Sequence, residues 1–257
     1  VFSLLLRYKS LGGHGYQAAL NEQAFQVLHE RLGVTAECFA SPLNRYLPVF
    51  CSAFPDTDMP FGSSGSFFAD PLPKDFFDPE KGGSYECNPP FVSEIMVAAV
   101  RRLEVMSGQC EKRKSPFSAV VIVPGWREDP MWKALHDSKW RLSETPILIS
   151  KAEHGFVDGA QHQRRDRYRE SPFDTAIFIL QNKAGRKRSP VTSDLEVQLR
   201  VALHKALPTD AAKARRLKEG RGMADLDGGG GVYKGKKSKA RKVTVEPEED
   251  AHGEGGT

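Results

Sequence analysis

Asn88, Pro89, Pro90 and Phe91 stand together in the run Tyr85-Glu86-Cys87-Asn88-Pro89-Pro90-Phe91. Their chemistry suits a planar amine held between two acceptors and a ring. The Asn88 side-chain oxygen and a proline carbonyl can accept both hydrogens of an exocyclic amine, while Phe91 supplies a stacking face. Adenine, a planar base with one such amine, fits. A plain rigid turn between a strand and a helix would use the same residues, so from these four alone both readings stand.

The neighbours decide where the four residues lie. Tyr85 and Cys87 alternate as on a short strand, and two prolines then forbid ladder or helix bonding. A helix-like run over 92–106 follows, with Val92, Ile95, Met96, Ala99, Leu103 and Met106 on one face and Ser93 as its expected cap. Asn88 is therefore expected at the carboxyl end of a strand, where open α/β sheets place ligands.

The rest of the chain supplies the other parts of such a sheet. Residues 1–6, VFSLLL, read as a strand or packing segment that Gly12, Gly13 and Gly15 would end. Asn21 caps a helix with Ala24, Phe25, Leu28 and Leu32 at helical spacing, and Gly33 stops it. Strands follow at 34–40, 118–123, 146–150 and 175–180, with a short helix expected over 131–140. The β-branched run at 118–123 suits a strand buried on both faces, and it leaves Trp126 and Arg127 at another strand's carboxyl end. Ser193 and Glu196 form a capping box ahead of Leu195, Leu199, Leu203 and Ala206, and Pro208 ends that helix.

Two irregular stretches could touch ligands. Residues 43–78 are rich in Phe, Pro, Asp, Gly and Ser and show little periodicity; an irregular second strand or a functional loop would account for them. Gly62 and Gly65 allow backbone amides close to a ligand, and Asp56 or Asp58 could accept from a ribose diol. Ordinary turn chemistry explains the same residues. Between the last two strands, Arg164, Arg165, Arg167 and Arg169 with Tyr168 would make a phosphate-contacting loop with one stacking surface, unless they are simply a solvated face.

Composition narrows the classes. A chain of 257 residues allows one domain of about two hundred residues with appendages, and 39% apolar residues is enough for a core. The net charge of +4 permits a nucleic-acid partner without requiring one. Cys38, Cys51, Cys87 and Cys110 lack metal-ligand spacing, and His154 and His162 have no suitable companions, so no metal is expected. No secretory signal precedes the cysteines, and reduced thiols inside a cell are the expectation. No run nears the roughly 18 apolar residues of a membrane span, so a soluble protein without a membrane partner is expected. The four glycines at 228–231, the basic 234–242 and the acidic 246–250 have no apolar period. A catalytic domain over 1–208 and a disordered tail over 209–257 are expected, the basic run serving as a nuclear-import signal or weak RNA tether.

Several blocks in order resemble the phosphorylated CTD interacting factor family. They are ECFASPLN at 37–44, CSAFPDTD at 51–58, Phe61-Gly62-Ser63, Gly83-Ser84, Asn88-Pro89-Pro90-Phe91, Val123-Pro124 with Trp126-Arg127, and Leu180-Gln181-Asn182 with Ala184-Gly185. Together they span about residues 5–185. The resemblance implies a Rossmann-like class I methyltransferase using S-adenosylmethionine, with a mixed, mainly parallel sheet flanked by helices.

It further implies methyl transfer to the exocyclic amine of the first transcribed 2′-O-methyladenosine beside a 7-methylguanosine cap, in the nucleus. The family's catalytic tetrad falls on Asn88, Pro89, Pro90 and Phe91 without substitution. Donor contacts are expected at Phe39, Ala40, Ser41, Asp56, Asp58, Phe61, Gly62, Ser63 and Asn88. Capped mRNA is expected at Trp126, Arg127, Arg164, Arg165, Arg167, Tyr168 and Arg169. The family's WW domain and the helical region usually found before the core are absent from this sequence, so binding of the RNA polymerase II C-terminal domain is not carried over. Internal RNA or DNA as substrate, or a non-catalytic RNA- or polymerase-associated module, are the competing readings.

Overall fold

The computed structural model describes residues 1–11, 18–159, 161–163 and 165–218, with only the backbone for Gln163, Arg216 and Lys218. In chain order, the elements begin with α1 (Phe2–Ser10), α2 (Glu22–Leu32), β1 (Ala36–Ala40), β2 (Val49–Ser52), α3 (Pro55–Asp58) and β3 (Gly83–Cys87). They continue with α4 (Ser93–Arg113), β4 (Phe117–Pro124), α5 (Pro130–His136), β5 (Ile147–Ile149), β6 (Gly155–Val157) and β7 (Tyr168–Glu170). β8 (Thr175–Gln181), α6 (Lys183–Arg188), α7 (Asp194–His204) and α8 (Asp210–Lys218) complete them.

Six strands form one sheet in the order β2-β1-β3-β4-β8-β5, and β6 pairs with β7 in a small second one. β2, β1, β3 and β4 run parallel, while β8 is antiparallel to both neighbours. Fold class is thus mixed α/β with a mostly parallel central sheet and flanking helices.

Residue alternation along β4 and β8 builds a core on each face. Ala119, Val121, Val123, Phe178 and Leu180 pack with Met96, Leu103 and Met106 of α4 and Met131 and Leu135 of α5. Val120, Ile122, Ile177 and Ile179 pack with Phe25 and Leu28 of α2 and Leu195 and Leu199 of α7. Such two-sided burial explains the continuous apolar run of β4, every residue of which is buried. Asn21 caps α2 by accepting from Ala24 N at 3.1 Å and also donates to the Ala202 carbonyl of α7 at 2.7 Å. Gly33 ends α2 with φ 65°.

The Asn182-Ala184-Gly185 block ties the sheet together at its other end. Asn182 Oδ1 accepts from Phe117 N at 2.9 Å and Gly185 N at 2.7 Å, and its amide donates to the Ser115 carbonyl. A Cβ on Gly185 would lie 2.1 Å from the Phe117 carbonyl oxygen, so only glycine allows this approach.

Several local expectations change. Residues 2–10 form a helix rather than a strand, with Leu4 and Tyr8 turned inward, so packing and not pairing is their role. Gly12, Gly13 and Gly15 lie outside the described residues. Ser93 is not a cap: Val92 holds that position without a side-chain bond, and the Ser93 hydroxyl donates to Asp129 at 3.1 Å. The capping box of α7 does not form, because Ser193 is in helical conformation and makes no capping bond, while Glu196 pairs with Arg200. The helix expected over 131–140 ends at His136.

Part of the stretch assigned to the tail is helix α8. Ala212 is buried, and Lys213 and Arg215 pair with Glu170 and Asp166. Residues 219–257 lie outside the described residues.

Candidate active site

Strand order reverses around β1: β2 pairs on one side, and the chain then crosses back to place β3 on the other. Loops leaving the carboxyl ends of β1 and β3 therefore diverge, opening a crevice where open α/β sheets bind ligands. A cavity of ≈ 270 Å³ lies there. Phe39 and Ala40 at the end of β1 with Ser41 and Asn44 after it, Ser52 at the end of β2 with Ala53 after it, and Asn88 and Pro90 after β3 line it. Phe67 and Phe68 add an aromatic wall, and Tyr8 of α1, Leu11 just after it and Ala18 also line the cavity.

Asn88 is held in a defined orientation. Its amide nitrogen donates to the Ala18 carbonyl at 3.0 Å. The side-chain oxygen carries no hydrogen bond among the described residues, and Asn88 lines the cavity. Val92 N donates to the Pro90 carbonyl at 2.7 Å, closing the turn and leaving the Pro89 carbonyl without a donor among the described residues. Phe91 meets Trp126 edge-on at 6.3 Å, and Trp126 meets Phe173 edge-on at 5.0 Å. All three rings are partly exposed. Asn88 thus borders the cavity, with an aromatic group three residues further along the chain.

The loop after β1 is fastened from within. Asn44 Oδ1 accepts from both Ser41 N and Ser41 Oγ at 2.8 Å. Glu37 Oε1 accepts from Tyr46 N at 2.8 Å and Leu47 N at 2.6 Å. Glu37 is the register partner of Glu86 on β3. Both are buried, and burial pushes the Glu37 carboxyl up to about 7 and Glu86 well above the usual carboxylate range.

The proposed donor residues divide into two groups. Phe39, Ala40, Ser41 and Asn88 line the cavity; Asp56, Asp58, Phe61, Gly62 and Ser63 do not. Asp58 is fully buried and accepts from the Tyr8 hydroxyl at 2.5 Å. Asp56 is exposed and paired with Arg7 at 2.8 Å. Phe61 ends a 3-10 turn, Gly62 follows it, and Ser63 shares a 2.6 Å hydrogen bond with the cavity-lining Ser52. Of these five, Asp58 and Ser63 bond to the lining residues Tyr8 and Ser52.

The arginine cluster also divides. Arg169 is 3% exposed and lies inside the molecule. Arg167 is paired with Glu22 and stacks over Tyr168 at 4.9 Å from the ring centre. Arg165 is exposed, and Arg164 lies outside the described residues. Along β7 alternation turns Arg169 inward between the partly exposed Tyr168 and Glu170, while Arg165 and Arg167 precede the strand. Arg127 is exposed and packs over Trp132. His154 is a buried core residue bonded to the Ser150 carbonyl and the Thr175 hydroxyl.

Residues 1–159 match the family model described as phosphorylated CTD interacting factor 1 WW domain. The chain belongs to this family. The matched residues run from α1 beyond β6 and include every residue that lines the cavity. The chain is similar to a Homo sapiens protein named mRNA (2′-O-methyladenosine-N(6)-)-methyltransferase, 37% identical over 195 residues. A Mus musculus protein of the same name is 37% identical over 193 residues. Both matches cover 72% of this chain and 26% of the relative, so the chain spans about a quarter of the length of these curated relatives.

Sequence reasoning missed Tyr8, Ala18, Phe67, Phe68 and Ser52 in the lining. No local pattern marks them. They converge only because α1 and the 66–68 turn fold across the ends of β1 and β2. Phe173 was missed for the same reason, as it reaches Trp126 from the loop before β8.

Proposed function

We propose that this chain is the catalytic core of a class I methyltransferase that uses S-adenosylmethionine. Its proposed reaction places a methyl group on the N6 amine of the first transcribed 2′-O-methyladenosine in capped mRNA. The reading rests above all on Asn88, which lines the cavity with its amide nitrogen tied to Ala18 and its oxygen without a partner among the described residues. The names of the human and mouse relatives supply the substrate class. A parallel sheet with a strand-order reversal at β1, and the single antiparallel strand β8 set one in from the edge, support the fold assignment.

Phe39, Ala40, Ser41, Ser52, Ala53, Phe67 and Phe68 would hold the donor, in a mostly apolar crevice with a few polar groups to orient it. When bound, it supplies an electrophilic methyl group. An aromatic amine is a poor nucleophile because its lone pair is delocalised into the ring. Asn88 Oδ1 and the Pro89 carbonyl, each accepting one N–H, favour a pyramidal nitrogen and stabilise the charge that grows on it. Phe91, buttressed by Trp126, clamps the base. Positioning of this kind supplies on the order of 7–11 kcal/mol in favourable cases. No strong general base is required, because the product's extra proton can leave to water.

Arg127 and Arg165 are the exposed cations proposed for transcript phosphates. Nuclear residence is part of this proposal and rests on the basic run at 234–242. Two titrations followed by calorimetry test it: one with S-adenosylmethionine, the other with capped and uncapped oligonucleotides of one sequence in the presence of S-adenosylhomocysteine. Donor binding with a capped-strand preference is the expected result. Absence of donor binding contradicts the enzyme reading, and equal affinity for the two strands contradicts the cap-specific one.

A further inference from the structure

A second stripe of α4 faces away from the sheet. Arg102, Val105, Gln109 and Lys112 recur at three- and four-residue intervals and share one side of the helix. With the 70–79 segment they wall a groove of ≈ 400 Å³ that has Leu72, Phe77 and Met106 among its lining. This is separate from the cavity at Asn88, with which it shares no lining residue.

Cations dominate the groove. Lys74, Arg102, Lys112 and Arg113 line it. Lys74 and Lys112 have no ion pair among the described residues. Arg102 lies 3.7 Å from Asp70, whose side chain is 89% exposed, and Arg113 lies 3.0 Å from the exposed Glu80. The open Arg113 pair contributes about 0–1 kcal/mol, so Arg113 exchanges partners readily, whereas Arg102 is largely buried and also donates to the Ala69 carbonyl. From Arg102 to Arg113 the helix rises about 16 Å, the length of about five extended residues.

The charge and length of the groove match a segment of this same chain. Glu246, Glu248, Glu249 and Asp250 place four carboxylates within five residues, just after the apolar Val243 and Val245. The chain between Lys218 and Glu246 can extend to roughly 90 Å, well beyond the size of a domain with a radius of gyration of about 17 Å. Nucleic acid fits the groove less well. Base stacking needs an open ring face, and Phe77, the one ring in the lining, is only 6% exposed.

We propose that the acidic 246–250 segment docks in the α4 groove, with its carboxylates on Lys74, Lys112 and Arg113 and its valines over the apolar floor. Docking neutralises a cationic surface that would otherwise compete with the active site for transcript. It also delivers the adjoining basic 234–242 run to that side of the domain.

Zero-length carbodiimide coupling of the intact chain, which joins a carboxylate to an amine with loss of water, tests this when the products are mapped by mass spectrometry. The expected products link 246–250 to Lys112 and Lys74, with a yield unchanged over a tenfold dilution of protein. Lys74→Glu with Arg113→Glu should cut the Lys112 link at least fivefold while leaving the thermal unfolding midpoint within a few degrees. Links confined to the neighbouring 234–242 lysines, or links that vanish on dilution, overturn the proposal. A ten-nucleotide RNA that itself photo-cross-links to the groove and abolishes the Lys112 link also overturns it, making the groove a nucleic-acid surface.

Discussion

Asn88 donates its side-chain amide to the backbone carbonyl of Ala18 across 3.0 Å, joining the end of β3 to a residue seventy positions earlier. An amide has two ends, and fixing one fixes the other. Asn88→Asp removes the donor and sets a carboxylate against the Ala18 carbonyl, so its acceptor oxygens lose their aim. Both Asn88→Asp and Asn88→Ala should reduce methyl transfer at least a hundredfold while donor affinity stays within a few fold. Calorimetry with S-adenosylhomocysteine, alongside initial rates, separates the two effects.

Phe91→Ala should weaken RNA binding by about 1–3 kcal/mol, the usual value of a base on a ring. Trp126→Ala should reproduce part of that loss, because Trp126 holds Phe91 edge-on. A double-mutant cycle measured by fluorescence anisotropy should give a coupling of about 0.5–1.5 kcal/mol. Strictly additive losses would mean the two rings act separately.

Asp58 is buried, and the Tyr8 hydroxyl is its side-chain partner. Tyr8→Phe leaves that carboxylate short of a donor and should cost about 1.5–3 kcal/mol in urea unfolding. Adding Asp58→Asn removes the buried charge and should recover part of the loss. The same substitutions loosen α1, which supplies Tyr8 to the cavity wall and is followed there by Leu11, so the Michaelis constant for the donor should rise more than that for RNA.

Much of this architecture was legible in the sequence. Asn21, the Phe25-Leu28-Leu32 stripe and Gly33 marked α2 because cap, period and stop agreed. The uninterrupted β-branched run of β4 marked the sheet centre, and two prolines after Cys87 fixed the end of β3. The misreadings lay where tertiary contacts outweigh local pattern. Residues 2–10 are too short to tell helix from strand, and the Tyr8–Asp58 and Tyr8–Phe54 contacts explain which face turns inward. Asp56 and Asp58 read as ribose acceptors from composition, and in the fold they bond to Arg7 and Tyr8 of α1. Arg169 belonged to a cationic cluster in the sequence, and β-strand alternation sends it inside.

That last placement makes a contrast measurable. Arg165→Ala should lower RNA affinity and reduce its dependence on salt, with stability unchanged. Arg169→Ala should do the reverse and lower the unfolding midpoint. Equal effects of both on RNA binding would restore the single phosphate-contacting loop.

Glu37 and Glu86 face each other across β1 and β3, and burial raises both carboxyls, Glu37 to about 7. A folded-state value raised above the ordinary 4.5 means that the native state binds the proton more tightly than the unfolded chain. The stability this contributes is complete below about pH 4.5 and is lost as pH rises through about 7. Urea midpoints should therefore fall between pH 5 and 8, and Glu37→Gln should flatten that slope. An unchanged slope in the variant would place the titration elsewhere.

The most direct test incubates the chain with methyl-labelled S-adenosylmethionine and a capped RNA that begins with 2′-O-methyladenosine, then digests the RNA to nucleosides. Label should appear in N6,2′-O-dimethyladenosine with the native chain and be absent with Asn88→Ala. Label in a different nucleoside, or equal label from the Asn88→Ala chain, would contradict the account.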